Sequence, residues 1–256
     1  MSLKRHSRFA LSLLAILSCM MTPELSEARH PQAPTVVRLG VLEQSPPMSW
    51  KDANGDYHGY TIDMARAMCD RLSWQCELVP SSIGQFISDL RSGSIDVAAM
   101  SLLATKERQE HVLFARPFYT SITVFYGKPQ SLPSQPNVTV AVVKGSAQAR
   151  YAHGNKWRVL EVTNNGDLAA AVKSGQADGM LAPMMTVINA SRDQELAAMS
   201  LVATHVQSPE LTGATSFAVR PDKPEIKAAM DAALEYLEIS GVYDRINSKY
   251  VPFRVN

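Results

Sequence analysis

Two short segments of this chain repeat one pattern: LRSGSID at residues 90–96 and VKSGQAD at residues 172–178. Each closes a stretch with helical apolar spacing and, after a glycine and an aspartate, opens an apolar run. Glycine is a common residue just beyond a helix, because it adopts the left-handed conformation without steric cost. Each segment therefore predicts a helix that leads into a strand, and the repetition predicts two similar α/β lobes. One repetition at long spacing excludes a solenoid array.

The surrounding sequence alternates between strand and helix patterns, which favours mostly parallel pairing. Strands are predicted at Val36–Val41, Gln75–Val79 and Ile95–Leu103. Helices are predicted from apolar residues at i, i+3, i+4 and i+7: Ala65, Met68, Cys69 and Leu72, then Ile83, Phe86, Ile87 and Leu90. Asn54-Gly55 predicts a tight hairpin within residues 49–60.

The division between the lobes is predicted from interruptions of this pattern. The interrupting residues are Gly127, Pro129, Pro133 and Pro136. The last strand, Ser216–Arg220, and the helix after it have no partner in the second lobe's own pattern, so we expect them to return to the first lobe. The predicted limits are residues 29–126 plus 213–256 for lobe 1 and residues 127–212 for lobe 2. Two crossing strands would then flank an interlobe cleft, where ligands normally bind.

The N-terminal residues have the three parts of a secretory signal peptide. These are the basic Lys4, Arg5 and Arg8, the apolar run 9–21, and small residues at Ser26 and Ala28. The apolar run is shorter than the roughly 20 residues that a membrane-spanning helix needs. We therefore predict a signal peptide at residues 1–28 and a periplasmic protein. Lipid anchoring at Cys19 is the alternative, since Ile16–Cys19 loosely matches a lipobox.

Composition and charge exclude several classes of protein. The chain has 256 residues, of which 46% are hydrophobic and 19% charged, so it is neither collagen-like nor disordered. Its net charge is +1, and no basic cluster is present, so nucleic acid is not an expected partner. After removal of Cys19 the mature chain keeps Cys69 and Cys76. Export favours a disulfide between them over two buried thiols.

Catalytic and metal-binding motifs are absent from the sequence. There is no G-x-S-x-G, G-x-G-x-x-G, P-loop, H-E-x-x-H or C-x-x-C pattern, and the six histidines lack ligand spacing. We therefore predict no cofactor, no metal and no enzymatic activity.

Arg108 is the strongest binding candidate that the pattern itself provides. The strand that ends at Leu103 is followed by Thr105, a good helix N-cap, which places Arg108 in the first helical turn beside the strand ends. A helix N-terminus already favours an anion, and the planar guanidinium suits a carboxylate. A surface ion pair is the alternative for this arginine.

An ordered series of motifs is similar to bacterial extracellular solute-binding proteins of the polar amino-acid class. The motifs include GYTIDMA at 59–65, TKER at 105–108, FARPFY at 114–119, KGS at 144–146, SGQAD at 174–178 and GVYDRI at 241–246. The resemblance spans nearly all of the mature chain. It implies a two-lobed α/β protein that closes on a small ligand and delivers it, as a monomer, to an ABC permease in the inner membrane.

The resemblance also implies roles for individual residues. Arg108 would hold the ligand's carboxylate, Ser101 would accept a hydrogen bond from its ammonium group, and Gly145 and Ser146 would donate from the second lobe. The spacing of Cys69 and Cys76 is similar to that of the histidine- and basic-amino-acid-binding members, which supports the disulfide.

Several positions depart from the family pattern at the expected site. These are Leu103 in place of a carboxylate-binding Ser or Thr, Ser45 and Met48 in place of aromatic residues, Leu42 in place of an acid, and Pro183 in place of the Asp that meets the ammonium group. Trp50 lies nearby as a substitute aromatic residue. An ammonium group buried without a carboxylate is costly. The ligand is therefore expected to be an amino acid or a related carboxylate, including one without an ammonium group.

Three classes of function remain open from the sequence. The first is a solute receptor of an ABC importer. The second is a periplasmic partner or sensor module of the same fold, for which the apolar Leu42, Leu103 and Pro183 would be suitable. The third is an enzyme that resembles periplasmic cyclohexadienyl dehydratase, although no acid is expected in the cleft.

Overall fold

A computed structural model describes residues 36–251. The predicted signal peptide, including Cys19, lies outside the described residues. Within residues 36–251, no helix combines the length and the apolar character needed to cross a membrane.

Strands and helices alternate along the described chain. The strands are β1 (Val36–Val41), β2 (Gln44–Ser45), β3 (Ser49–Lys51), β4 (Tyr57–His58), β5 (Gln75–Pro80), β6 (Val97–Leu103), β7 (Leu113–Phe114), β8 (Tyr119–Ser121), β9 (Thr123–Gly127), β10 (Thr139–Val143), β11 (Arg158–Val162), β12 (Gly179–Pro183), β13 (Val202–His205) and β14 (Gly213–Val219). The helices are α1 (Tyr60–Leu72), α2 (Phe86–Ser92), α3 (Lys106–Gln109), α4 (Ala147–Gly154), α5 (Asn165–Lys173), α6 (Met184–Ala190), α7 (Gln194–Ala198), α8 (Pro224–Ile239) and α9 (Val242–Tyr250).

Two main sheets form the two lobes. The first has the order β5-β1-β6-β14-β7, with β8 also paired to β14, and the second has the order β11-β10-β12-β9-β13. β1 pairs in parallel with β5 and β6, and β10 pairs in parallel with β11 and β12. β14, β9 and β13 pair antiparallel with their neighbours. The predicted α/β class with two lobes is confirmed, and so is the return of the last strand to the first sheet.

Helices cover both faces of each sheet. One face of the first sheet packs on α1 and α8, and α9 packs on these two helices, while α2 contacts β6 on the same sheet. In the second sheet, α4 packs on β10 and β11, while α5 packs on β10, β11 and β12. Burial on both faces explains why strands such as VVRLGV and TVAVV are almost continuously apolar.

The repeated sequence segments have the same structure in both lobes. Gly93 and Gly175 both follow helices in the left-handed conformation, with φ of 75° and 74°. Asp96 accepts the backbone N–H of Arg38 at 2.9 Å, and Asp178 accepts that of Thr139 at 2.8 Å. Each aspartate thus ties the start of its strand to the first parallel strand of its lobe.

The first crossing between the sheets lies earlier than the sequence predicted. β8 ends at Ser121 in the first sheet, and β9 begins at Thr123 in the second, where it pairs with β12. The predicted boundary at residues 126 and 127 is therefore corrected to Ile122. The prediction was wrong because Gly127 and the prolines that follow it mark the end of β9 and the loop after it, not the crossing. The return crossing lies between His205 and Gly213, as β13 and β14 belong to different sheets.

Of three local predictions, the disulfide and the hairpin are confirmed, and the start of the second helix is wrong. The disulfide between Cys69 on α1 and Cys76 on β5 is present, with 6.3 Å between the Cα atoms. The hairpin is also present, since β3 and β4 pair antiparallel. Ile83, however, lies before α2, which begins only at Phe86.

Candidate ligand-binding site

A cavity of about 80 Å³ lies between the two sheets, at the carboxyl ends of β6, β10 and β12. Its apolar lining consists of Leu42, Met48, Ile83, Met100, Leu102, Leu103, Val143, Ala147, Leu181, Pro183 and Met185. Its polar lining consists of Ser45, Ser49, Thr61, Ser101, Tyr119, Ser121, Ser146, Gln148, Asn165 and Thr186. Among residues 36–251, Arg108 is the one charged residue of the lining, and no acid contributes to it. Strand carboxyl ends are the usual binding position in open α/β sheets.

Arg108 is buried at the wall of this cavity, with only 3% of its surface exposed. Thr105 caps its helix as predicted and accepts the backbone N–H of Arg108. The guanidinium donates from Nη1 to the carbonyl of Leu103 at 3.1 Å and from Nη2 to the carbonyl of Gly145 at 3.3 Å. Its Nε has no hydrogen-bond partner within the described chain. The surface ion pair that the sequence left open is excluded by this burial.

No acid of the described chain balances the charge of Arg108 in the cavity. Glu107, the neighbouring acid, forms an ion pair with Arg150 at 2.8 Å instead. Burial, together with the positive charge of Arg150, lowers the pKa of Arg108 to about 10, and Glu107 opposes this shift only in part. Arg108 therefore remains protonated at neutral pH. A buried cation without a counterion is unfavourable, so this cavity favours an anion.

The N-terminus of α4 also favours an anion in this cavity. Ser146 caps the helix, and its Oγ accepts the N–H of Ala149 at 3.0 Å. Ala147 and Gln148 line the cavity, and first-turn N–H groups have no carbonyl partner within a helix. The helix dipole places positive partial charge at this end. The anion-favouring groups thus come from both lobes.

On the first sheet, hydrogen bonds fix the direction in which the hydroxyl hydrogen of Ser101 points. The carbonyl of Tyr119 can only accept, and it receives the Oγ1 hydrogen of Thr215 at 3.0 Å. Thr215 Oγ1 in turn accepts from Ser101 Oγ at 2.9 Å. The single hydrogen of Ser101 is used in this chain, so its oxygen offers lone pairs to the cavity.

Most of the residues predicted for the site lie together in this cavity. Arg108, Ser101, Leu103, Ser146, Ser45, Met48 and Pro183 all line it, as does Leu42. Gly145 lies behind the lining, where its carbonyl accepts from both Arg108 and Arg150.

Trp50 does not belong to this group of residues. Side chains alternate along β3, so Ser49 faces the cavity while Trp50 points away from it. The indole lies 5.8 Å from the ring of His58 and 6.4 Å from that of Tyr250. Its assignment as a substitute aromatic residue over the ligand is corrected by this geometry.

Several lining residues were missed by the sequence analysis. Ser49 donates to the carbonyl of Leu42, and Thr61 donates to that of Met48 at 2.9 Å, so both hold the hairpin at the cavity. Asn165 of the second lobe donates to Ser45 of the first. Single serines, threonines and asparagines carry no distinguishing spacing, and only the tertiary fold brings these together.

The cavity is closed by contacts between the lobes. Besides the bond from Asn165 to Ser45, Arg150 on α4 reaches Glu107 on α3, and Arg108 reaches Gly145. The backbones approach closely here, since a Cβ added to Gly145 would lie 2.7 Å from the Cα of Gly84.

Comparison with known proteins agrees with this arrangement. The model of the family described as bacterial extracellular solute-binding proteins, family 3, matches residues 37–253. The chain belongs to this family. This solute-binding protein is 29% identical to the lysine/arginine/ornithine-binding periplasmic protein of Escherichia coli K12, over 98% of both chains. The predicted resemblance and the periplasmic location are thereby confirmed.

Other proteins of known structure share the fold of this solute-binding protein. An ancestral amino acid-binding protein, AncCDT-1, described as a precursor of cyclohexadienyl dehydratase, is 26% identical, with a TM-score of 0.74 and coverage of 84% of this chain and 95% of that one. An ancestral arginine-binding protein bound to arginine is 25% identical, with a TM-score of 0.74 and coverage of 85% and 99%. These relatives are binding proteins for amino acids.

Proposed function

We propose that this protein captures a small carboxylate-bearing solute, an amino acid or a related compound, by closing its two lobes around it. As a monomer it would then deliver the solute to an ABC permease in the inner membrane. Family membership and the amino-acid-binding relatives support the class of ligand. The permease follows from the family resemblance.

The observation that carries the proposal is the unpartnered Nε of Arg108. This guanidinium is buried at the cavity wall, is held by two carbonyls, and contacts no carboxylate of the described part of the chain. A ligand carboxylate would accept from Nε and from the first-turn N–H groups of α4. Charge-assisted bonds of this kind are about twice as strong as neutral ones.

Closure is supported by the distribution of the binding groups. Arg108 and Ser101 belong to the first lobe, and Ser146 with the start of α4 belongs to the second. A ligand held by both groups would join the lobes, and the two crossing segments provide hinges.

The lining also supports binding rather than catalysis. Apart from Arg108, Tyr119 is the one titratable residue of the described lining, and burial raises the pKa of Tyr119 to about 12. Neither group exchanges a proton readily at neutral pH, which an elimination reaction would need. We therefore propose that the protein is not an enzyme.

The test is a thermal-shift screen of the mature protein against proteinogenic amino acids, then small hydroxy-, keto- and dicarboxylates. A ligand present at about 100 times its dissociation constant should add about 2.7 kcal/mol of stability. Arg108→Ala should abolish the shift, and Arg108→Lys should reduce it, because a lysine lacks the planar fork.

Arg192→Ala is the matched control, since Arg192 is an exposed arginine that does not line the cavity. It should leave the shift unchanged. The proposal fails if no carboxylate stabilises the wild-type protein, or if Arg108→Ala retains the full shift.

A further inference from the structure

The polar groups around the cavity distinguish between carboxylates that differ at the carbon next to the carboxylate. We propose that the ligand is a small 2-hydroxycarboxylate, in which that carbon carries a neutral hydrogen-bond donor. The inference rests on the proposed function, because it requires the carboxylate to lie on Arg108.

An ammonium group is disfavoured by the absence of acids. No Asp or Glu contributes to the described lining, and Pro183, which the second lobe contributes to it, has neither a charge nor an N–H group. A second cation in this enclosure would also be repelled by Arg108. A 2-amino acid would therefore be desolvated without an ionic partner.

A keto group is disfavoured by the direction of the Ser101 hydroxyl. The hydrogen of Ser101 is donated to Thr215, whose own hydrogen is donated to the carbonyl of Tyr119. A keto oxygen facing Ser101 would place two acceptors against each other. A hydroxyl on the same carbon would instead donate to Ser101, and this partly buried acceptor would be satisfied.

The position of Ser101 suits a substituent beside the carboxylate. Ser101 and Leu103 are two residues apart on β6 and both line the cavity, so they lie on one face of the strand about 7 Å apart. The carbonyl of Leu103 holds the guanidinium of Arg108. A ligand whose carboxylate lies on Arg108 therefore has its adjacent carbon directed along the strand toward Ser101.

The size of the cavity limits the rest of the ligand. A volume of about 80 Å³ corresponds to roughly five to eight water-sized positions. Acids of three to five carbons match this space, and the apolar Met48 and Met185 suit a short alkyl group.

The experiment is a calorimetric titration of the mature protein with two matched series. The first is lactate, alanine and pyruvate, and the second is 2-hydroxyisovalerate, valine and 2-oxoisovalerate, with both enantiomers of each chiral compound. In at least one series the hydroxy acid should bind at least about tenfold tighter than the keto acid, as expected for one hydrogen bond gained and one repulsion between acceptors avoided. The ratio of hydroxy-acid affinity to amino-acid affinity should be larger still.

Two variants test the role assigned to Ser101. Ser101→Ala should reduce the ratio of hydroxy-acid to keto-acid affinity to near one, because it removes both the acceptor for the hydroxyl and the repulsion of the keto oxygen. Thr215→Val should free the hydrogen of Ser101 and raise keto-acid affinity relative to the wild type. Ser92→Ala, an exposed serine on α2, is the control and should change neither affinity.

The outcomes separate this inference from the proposed function. If an amino acid or a keto acid binds most tightly and Arg108→Ala removes that binding, the proposed function stands and the inference is overturned. An unchanged preference in Ser101→Ala also overturns it. If no acid of either series binds, the inference is overturned, and the proposed function is decided by the wider thermal-shift screen.

Discussion

Asp96 and Asp178 have equivalent positions in the two lobes, but their charges are used differently. Both accept a backbone N–H from the first parallel strand of their lobe. Asp96 additionally accepts from the side chains of Arg38 at 3.0 Å and Arg220 at 3.2 Å, whereas Asp178 forms no ion pair within residues 36–251. Burial alone would raise the pKa of Asp96, but the bonds from the two arginines hold it below its ordinary value of 3.8.

Asp96→Asn should therefore destabilise the protein by about 1–3 kcal/mol at pH 7. Because the folded-state pKa is lowered, the stabilisation by the carboxylate is complete above the unfolded-state pKa and is lost as the pH falls through the folded value. Urea unfolding between pH 3 and pH 7 should show the gap between wild type and variant narrowing below about pH 4. Asp178→Asn is the comparison variant and should lower the free energy of unfolding by less than Asp96→Asn does. A gap that widens in acid would contradict this account.

The α4 segment shows how one element serves both the fold and the site. Gly145 precedes the helix with φ of 73°, so its carbonyl turns toward Arg108 and Arg150 while Ser146 caps the first turn. The same glycine approaches Gly84 of the other lobe, where a Cβ would be only 2.7 Å from the Cα atom. A side chain at this position would hold the lobes apart.

Gly145→Ala should therefore weaken binding of the stabilising acid by more than about tenfold, through interference with closure. Gly175→Ala is the matched control, because Gly175 has nearly the same φ, 74°, but no atom of the described residues lies within 4 Å of an added Cβ. Both variants should lose about 1 kcal/mol of stability from backbone strain. Only Gly145→Ala should lose affinity in a calorimetric titration, and equal loss in both variants would show that closure is not involved.

At the scale of the whole molecule, the sequence predicted the α/β class, the two lobes and the return of the last strand to the first sheet. The signal came from the repeated SGSID and SGQAD segments, whose glycines and aspartates have the same conformations and bonds in both lobes. The crossing at Ile122 was misplaced because it has no glycine or proline to mark it.

The site was predictable where local patterns determine it. Thr105 and Arg108 follow from helix capping alone, but the carbonyl of Gly145 is distant in the sequence and reaches Arg108 only through the contact between lobes. Trp50 was misassigned because the pleat of a three-residue strand is not readable from its sequence. The chain from Ser101 through Thr215 to Tyr119 joins separate strands and has no sequence signal.

The central claim is that a small carboxylate binds between the lobes on the buried guanidinium of Arg108. Its most direct test is a crystal structure of the mature protein with the acid that stabilises it most in the thermal-shift screen. We predict a carboxylate oxygen about 2.7–2.9 Å from Arg108 Nε, with the second oxygen at the N-terminus of α4. A carboxylate bound elsewhere, with Arg108 still held only by the carbonyls of Leu103 and Gly145, would contradict the claim.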